Sequence, residues 1–281
     1  INDSSLTYYP DRTHGILREA IATYHGIAPD AVLPGNGASE LFTWAARDAS
    51  VNGSSALPAP GFSDYARALN CWEAKYQFEN LPLFWSSDQP QEFPLKPDAD
   101  VLWITNPHNP TGQLWSKKSL EPLLSNYRLI ICDEAFLPLV PNGEDQSLIS
   151  LIAEHPNLIV IRSLTKLYAI AGLRFGYAIA AAKRLRSWCE CRDPWPVNGL
   201  AIAVATLIMQ DFSELERWRS KIHQWVDQEG SWFFSELQRI PGITPFPSAV
   251  NYFLIKGELS LLPLYEKLSR EGVLLRDCRS F

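Results

Sequence analysis

An α/β fold built on a mostly parallel sheet is the class this sequence predicts, and three observations predict it. Short apolar runs end repeatedly in polar or Gly/Pro clusters, and longer segments of helical periodicity separate them. The runs are also apolar without alternation, so each strand is expected to be buried on both faces, as in a parallel sheet covered by helices.

The elements follow in chain order. "NGASELFTWAARDA" reads as a helix opened by Asn-Gly, and Val101 to Thr105 in "DVLWITNPHNPTG" reads as a buried strand running into a loop. "SKKSLEPLLSNY" has helical periodicity, Leu129 to Cys132 forms a second apolar strand, and "SLISLIAEHP" is again helical in period. Leu158 to Arg162 and "FGYAIA" are further strands, with "LYAIAG" between them helix-like. From about Phe212, "SELERWRSKIHQWVDQEGSWFFSELQRI" predicts a long amphipathic helix. After it, "NYFLIK" and "VLLRDC" flank the helix-like "LLPLYEKLSREG", which predicts a smaller α+β unit. No internal repeat or low-complexity segment interrupts this order.

With 281 residues, 46% hydrophobic and 12% aromatic, the chain can bury one large core or two modest ones. The net charge of −6, with Lys and Arg scattered, gives no footprint for nucleic acid or an anionic membrane. The apolar stretch Leu200 to Met209 is about half of the roughly 20 residues a membrane span needs, and "INDSSLTYYP" has no signal-peptide pattern. A cytoplasmic location is therefore expected. Five cysteines with no CxxC pair predict free thiols and no metal site. A start at Ile1 and an end at Phe281 inside "VLLRDCRSF" predict that an N-terminal arm and part of the C-terminal unit lie outside the sequence.

In open parallel sheets, ligands bind beyond the carboxyl ends of the strands. "TNPHNPTG", "CDEAF" and "SLTK" each follow an apolar strand, so one site could collect an Asn, an Asp and a Lys. Lys166 alone would read as a solvent-facing lysine at a helix start. In a partly desolvated pocket beside another cation, a lysine instead becomes a nucleophile able to form a Schiff base. Arg174 is either that cation or the holder of an anion. Asp133 alone would read as a cap; buried at a strand end, it is an anion suited to a ligand cation, of which the pyridinium nitrogen of pyridoxal phosphate is one. Ser163, Thr165 and Arg174 supply hydroxyls and a guanidinium for a phosphate, and "GNGASE" can add backbone amides at a helix N-terminus. Gly-Asn-Gly by itself is most often a plain turn. No GxGxxG follows a strand, which argues against a nicotinamide-dependent oxidoreductase.

"NPHNPTG", "DEAF" and "SLTKLYAIAGLRFGY", in this order and at these separations, resemble the class I/II aminotransferase family of pyridoxal-phosphate enzymes, fold type I. The similarity extends from "YYPD" through "GNGASELF" and "PGFSDY" to "NYFLIK" and "LLRDC". Within the family the chain resembles the branch of histidinol-phosphate aminotransferases and threonine-phosphate decarboxylases. The resemblance implies a mostly parallel sheet of the seven-stranded type in a large domain over residues 1–215, with a smaller domain over 216–281. It implies Lys166 as the Schiff-base lysine and proton carrier, Asp133 as the partner of the pyridine nitrogen, and Asn109 as a hydrogen-bond donor to the ring hydroxyl. Phe62 would stack on the cofactor ring, unless it is simply a core residue. Ser163, Thr165 and Arg174 would bind the phosphate, with Gly37, Ala38 and Ser39 adding helix-terminal contacts. Tyr9 would reach the phosphate of the neighbouring subunit, making the active unit a homodimer.

These motifs serve transamination and decarboxylation equally, and three finer features lean toward decarboxylation. Phe136 stands where the aminotransferases usually have a tyrosine after "DEA". "RSLTKLYAIAGLRFGY" is closer to the decarboxylase wording, and "GVLLRDCRSF" resembles that branch's "IRDC" segment, with Arg276 a candidate for the substrate's phosphate. Without ligation there, Arg276 is a surface arginine. The implied substrate is a small amino-acid phosphate, L-threonine O-3-phosphate, giving (R)-1-amino-2-propanol phosphate for the nucleotide loop of cobalamin-type corrinoids. Histidinol-phosphate transamination is the alternative. A catalytically silent regulatory protein on the same fold is a third reading, opposed by the joint presence of Lys166, Asp133 and Arg174.

Overall fold

The computed structural model describes residues 7–86 and 88–281. Residues 1–6, part of the stretch read for a signal-peptide pattern, lie outside them. The chain runs from helix α1 (Gly15–His25) into strand β1 (Val32–Gly35) and helix α2 (Gly37–Ser50). Strand β2 (Ser54–Ala59), the short helix α3 (Asp64–Asn70), and strands β3 (Lys75–Asn80) and β4 (Val101–Thr105) follow. A single turn α4 (Lys117–Leu120) leads to β5 (Leu129–Asp133), then β6 (Leu158–Arg162) and β7 (Gly176–Ala180). Helices α5 (Ala182–Cys189), α6 (Gly199–Gln210) and the long α7 (Phe212–Gln238) precede a two-stranded antiparallel pair, β8 (Ile243–Pro245) and β9 (Ile255–Gly257), and helix α8 (Leu262–Arg270).

Strands β1 to β7 form one sheet in the order β1-β7-β6-β5-β4-β2-β3. Pairing is parallel between β2 and β3, β2 and β4, β4 and β5, and β5 and β6; β7 alone runs against both its neighbours. The predicted mostly parallel sheet is present. Every residue of β4, β5, β6 and β7 is buried, as their unbroken apolar runs require. Alternate side chains feed two separate cores. Leu102, Ile130, Cys132 and Val160 pack with α1 and α6 on one face, while Trp103, Ile131 and Ile161 pack with Leu41, Phe42, Ala45 and Ala49 of α2 on the other. At roughly 1.5 to 3 kcal/mol for each fully buried large apolar side chain, these two layers dominate the stability of the sheet.

Four local readings are corrected. Residues 116–127 make one α-turn and a 3-10 turn (Glu121–Ser125) rather than a helix, because Pro122 removes a donor from the ladder. "SLISLIAEHP" supplies only a 3-10 turn at Ile149–Leu151, its start being tied to Glu134 through Ser147 and the Leu148 amide. "LYAIAG" is a series of turns, since Ala169 (φ 53°) and Arg174 (φ 59°) adopt left-handed backbone incompatible with a continuous helix. "VLLRDC" forms no strand among the described residues, and Leu274 there is 82% exposed. Among the described residues no helix is long and apolar enough to cross a membrane.

Candidate active site

The carboxyl ends of β1, β2, β4, β5 and β6 lie at one edge of the sheet, and because β7 runs the other way it begins at that same edge. The chain therefore leaves β6 at Arg162, turns through 163–175, and re-enters the sheet at Gly176. Ser163, Thr165, Lys166 and Arg174 are held together by that excursion. Gly37, Ala38 and Ser39 arrive from the start of α2 after β1, Phe62 from the loop after β2, Asn109 from the loop after β4, and Asp133 as the last residue of β5.

These residues line one cavity of about 160 Å³, together with Phe42, Thr105, Ala135 and Phe136. Of the site residues named from the sequence, Tyr9 and Arg276 do not line it. Tyr9 is 79% exposed and stacks on Trp195, ring centroids 4.4 Å apart. Arg276 lies over the Phe281 ring at 5.3 Å and donates to Ser280 Oγ.

Asp133 is 5% exposed and makes no ion pair among the described residues. Its Oδ2 accepts from the Tyr65 hydroxyl at 2.6 Å and its Oδ1 from the Ala135 amide at 2.9 Å. Burial pushes the carboxyl up to about 6, against the opposing pull of those two hydrogen bonds and of the Lys166 charge. A cation placed against Asp133 would return it to the charged form. Tyr65 was missed in the sequence, although it stands three residues after Phe62 in "PGFSDY", a spacing that puts both on one side of α3's start. Its ring packs edge-on against Phe62 and Phe42, and its hydroxyl also meets Thr105 Oγ1 at 2.8 Å.

The loop that carries Asp133 is fixed by a buried network. Arg162 (1% exposed side chain) donates Nε to Glu134 at 2.8 Å, and its two Nη atoms grip Glu144 at 2.9 and 2.8 Å. Ser147 Oγ donates to Glu134 and accepts from Arg162, and the Leu148 amide closes on Glu134 at 2.8 Å. Burial raises Glu134, whereas at Glu144 burial is outweighed by the Arg162 guanidinium and the carboxyl falls to about 2. Sequence alone gave no signal for this network beyond an arginine ending an apolar strand.

At the opposite wall, Ser163 and Thr165 share a 2.7 Å hydrogen bond. Arg174 holds its guanidinium against Gly37 with φ 59°, and a Cβ added at Gly37 (φ 74°) would fall 2.5 Å from Arg174 Nη2. The left-handed backbone favours glycine there, and an added Cβ would also push the Arg174 guanidinium off its place. The Asn36 side chain does not take up the first-turn amides of α2, which leaves them for an anion. Lys166 Nζ lies 5.1 Å from the centre of the Phe136 ring. In this single chain Lys166 and Arg174 are both exposed rather than desolvated, because the 163–175 turn forms the rim of the cavity. Helix α7 braces both walls: Trp218 Nε1 donates to the Leu167 carbonyl at 2.8 Å, and His223 Nε2 meets the Pro138 carbonyl at 2.9 Å.

The donor set matches a phosphorylated pyridine aldehyde: an amine for the aldehyde, a buried carboxylate for a ring N–H⁺, and hydroxyls, guanidinium and helix amides for the phosphate. Comparison with known proteins agrees with this geometry. The family model "Aminotransferase class I and II" matches residues 2–281. The chain is 31% identical to "Threonine-phosphate decarboxylase" of Salmonella typhimurium, covering 100% of this chain and 77% of that protein. It is 30% identical to "Histidinol-phosphate aminotransferase" of Symbiobacterium thermophilum, covering 97% and 75% respectively. The solved histidinol-phosphate aminotransferase of Clostridium acetobutylicum superposes with a TM-score of 0.83 at 25% identity, over 98% of this chain and 82% of that one.

Proposed function

The chain belongs to the class I and II aminotransferase family, and from that premise we propose that it is a pyridoxal-phosphate-dependent carboxy-lyase acting on L-threonine O-3-phosphate. The observation that carries the reading is Phe136: the ring beside Lys166 Nζ is a phenyl, so this wall offers the cofactor no hydroxyl. The similarity to a threonine-phosphate decarboxylase over the whole chain supports the same reading. Histidinol-phosphate transamination is the second reading, favoured by similarity to that relative at 30% identity.

When bound, pyridoxal phosphate supplies an electron sink for the bonds at the substrate's α-carbon. The residues of this chain would do the rest. Arg174, Ser163, Thr165 and the amides of Gly37, Ala38 and Ser39 would hold the phosphate, and Asp133, kept in place by Tyr65, would pair with the ring nitrogen and keep it protonated. Asn109 would donate to the ring hydroxyl and Phe62 would cover one ring face. Lys166 Nζ would be the amine that meets the aldehyde. In the decarboxylase reading the α-carboxylate leaves as CO2 and Lys166 Nζ returns a proton to the same carbon. In the transaminase reading Lys166 Nζ removes the α-proton instead. Tyr9, exposed on the surface, would serve the neighbouring subunit of a homodimer, Arg276 would meet the substrate's phosphate, and α7 would lead from the cofactor-binding unit into the C-terminal one.

The test is borohydride fixation of the cofactor followed by peptide mapping, with release of labelled CO2 from carboxyl-labelled L-threonine O-3-phosphate. The label is expected on Lys166, and both signals should vanish in Lys166→Ala. Fixation at another lysine, or CO2 release that survives Lys166→Ala, would contradict the assignment.

A further inference from the structure

We propose that Arg192 is a positioning residue for the anion cup at the start of α2, acting through Glu40. The proposal rests on the reading that this cup takes the cofactor's phosphate.

Arg192 lies outside the cavity, in the turn after α5, yet its side chain is only 4% exposed. Its Nη1 donates to the Pro34 carbonyl of β1 at 2.9 Å, and its Nη2 lies 2.8 Å from Glu40 Oε1 and 2.9 Å from Oε2. Glu40 in turn accepts from the Asn36 amide at 2.6 Å and from Trp44 Nε1 at 3.2 Å. One guanidinium therefore ties the end of β1, the Asn36 backbone just before α2 and the first turns of α2 into a single unit. That unit presents Gly37, Ala38 and Ser39 to the cavity.

The charge argument is independent of the tie. Glu40 is the one acidic residue in the first turn of α2, where it favours the helix but has the same sign as a phosphate. Arg192, which does not line the cavity, neutralises it, so the amides and Arg174 can face an anion without an uncompensated carboxylate nearby. Without Arg192, Glu40 would be left half-buried and unpaired beside the cup.

The experiment compares wild type, Arg192→Gln, Arg192→Lys and the double variant Glu40→Gln/Arg192→Gln. Cofactor-free enzyme is titrated by absorbance with pyridoxal phosphate and with pyridoxal, which lacks the phosphate, and by calorimetry with inorganic phosphate. Arg192→Gln should raise Kd about tenfold for pyridoxal phosphate and for inorganic phosphate, equivalent to about 1.4 kcal/mol, and leave pyridoxal within about twofold of wild type. Arg192→Lys, which keeps the charge and loses the fork, should fall between them. The double variant should recover most of the phosphate affinity, because the carboxylate that repels the anion has gone. Unchanged phosphate affinity in Arg192→Gln would overturn the proposal. So would an equal loss for both aldehydes, which would mark Arg192 as general structural support, or a double variant as weak as the single one. If wild type bound neither aldehyde while inorganic phosphate still bound and weakened in Arg192→Gln, the cofactor reading would fall and the role of Arg192 in the cup would stand.

Discussion

Replacing Asp133 by asparagine tests the electrostatics of the site in the absence of any ligand. Asp133 is buried at the end of β5 with its carboxyl raised from 3.8 to about 6, burial being the main cause. In the unfolded chain it ionises near 3.8, whereas in the folded chain it keeps its proton to about 6. The folded state thus binds more protons in this window, and stability falls as pH rises through it. A shift of roughly two units at 1.36 kcal/mol each gives a loss of about 3 kcal/mol, complete above about pH 7. The asparagine side chain keeps a partner for both neighbours, its carbonyl accepting from the Ala135 amide and its NH2 donating to the Tyr65 hydroxyl oxygen. It carries no charge at any pH, so Asp133→Asn should lack this slope. The assay is urea denaturation of cofactor-free protein from pH 4.5 to 7.5, followed by tryptophan fluorescence. The variant-minus-wild-type difference in unfolding free energy should grow in favour of the variant by about 2 kcal/mol across that range, the rest of the change falling below pH 4.5. Other titrating groups cancel in the difference. A flat difference, or one of opposite sign, would refute the claim that Asp133 is a desolvated, unpaired anion, and with it the reason for expecting a ligand cation there.

Three further outcomes are expected. Arg162→Gln strands the buried Glu134 and leaves Glu144 only Arg219, 3.8 Å away, and should cost about 3 kcal/mol of unfolding free energy by urea titration. Gly37→Ala combines a left-handed backbone with a Cβ 2.5 Å from Arg174 Nη2, so it should weaken pyridoxal phosphate binding by about tenfold or more while pyridoxal suffers less. Trp218→Phe keeps the stack on Tyr168 and removes the donor to Leu167, costing about 1 kcal/mol in stability. It should also shift the pH dependence of the visible absorbance of the loaded enzyme, since the Lys166 turn loses its brace.

The central strands and the three motifs at their ends were legible because burial on both faces leaves unbroken apolar runs, and because polar residues follow each run at once. "DVLWIT", "RLIICD" and "NLIVIR" became β4, β5 and β6, with Asn109 and Lys166 beyond β4 and β6 and Asp133 closing β5. The edge strand β3 escaped notice because most of its side chains are exposed, which removes the apolar pattern. Helical periodicity misled at 116–127 and 147–156, where Pro122 and the pull of Glu134 on Ser147 and Leu148 break the ladder. Tyr65, the Arg162 network and Arg192 were invisible for a different reason. Each acts on a residue distant in sequence, 68 positions away for Tyr65 and Asp133 and 152 for Arg192 and Glu40, so no local spacing reports it.

The proposed activity is tested most directly by single-turnover product analysis of the pyridoxal-phosphate-loaded enzyme, with L-threonine O-3-phosphate in one arm and histidinol phosphate with 2-oxoglutarate in the other. The account predicts CO2 and 1-amino-2-propanol phosphate from the first arm, with the absorbance of the loaded enzyme restored at the end of the turnover. Conversion of the cofactor to its amine form by histidinol phosphate, with no CO2 from L-threonine O-3-phosphate, would contradict it and assign the site to transamination.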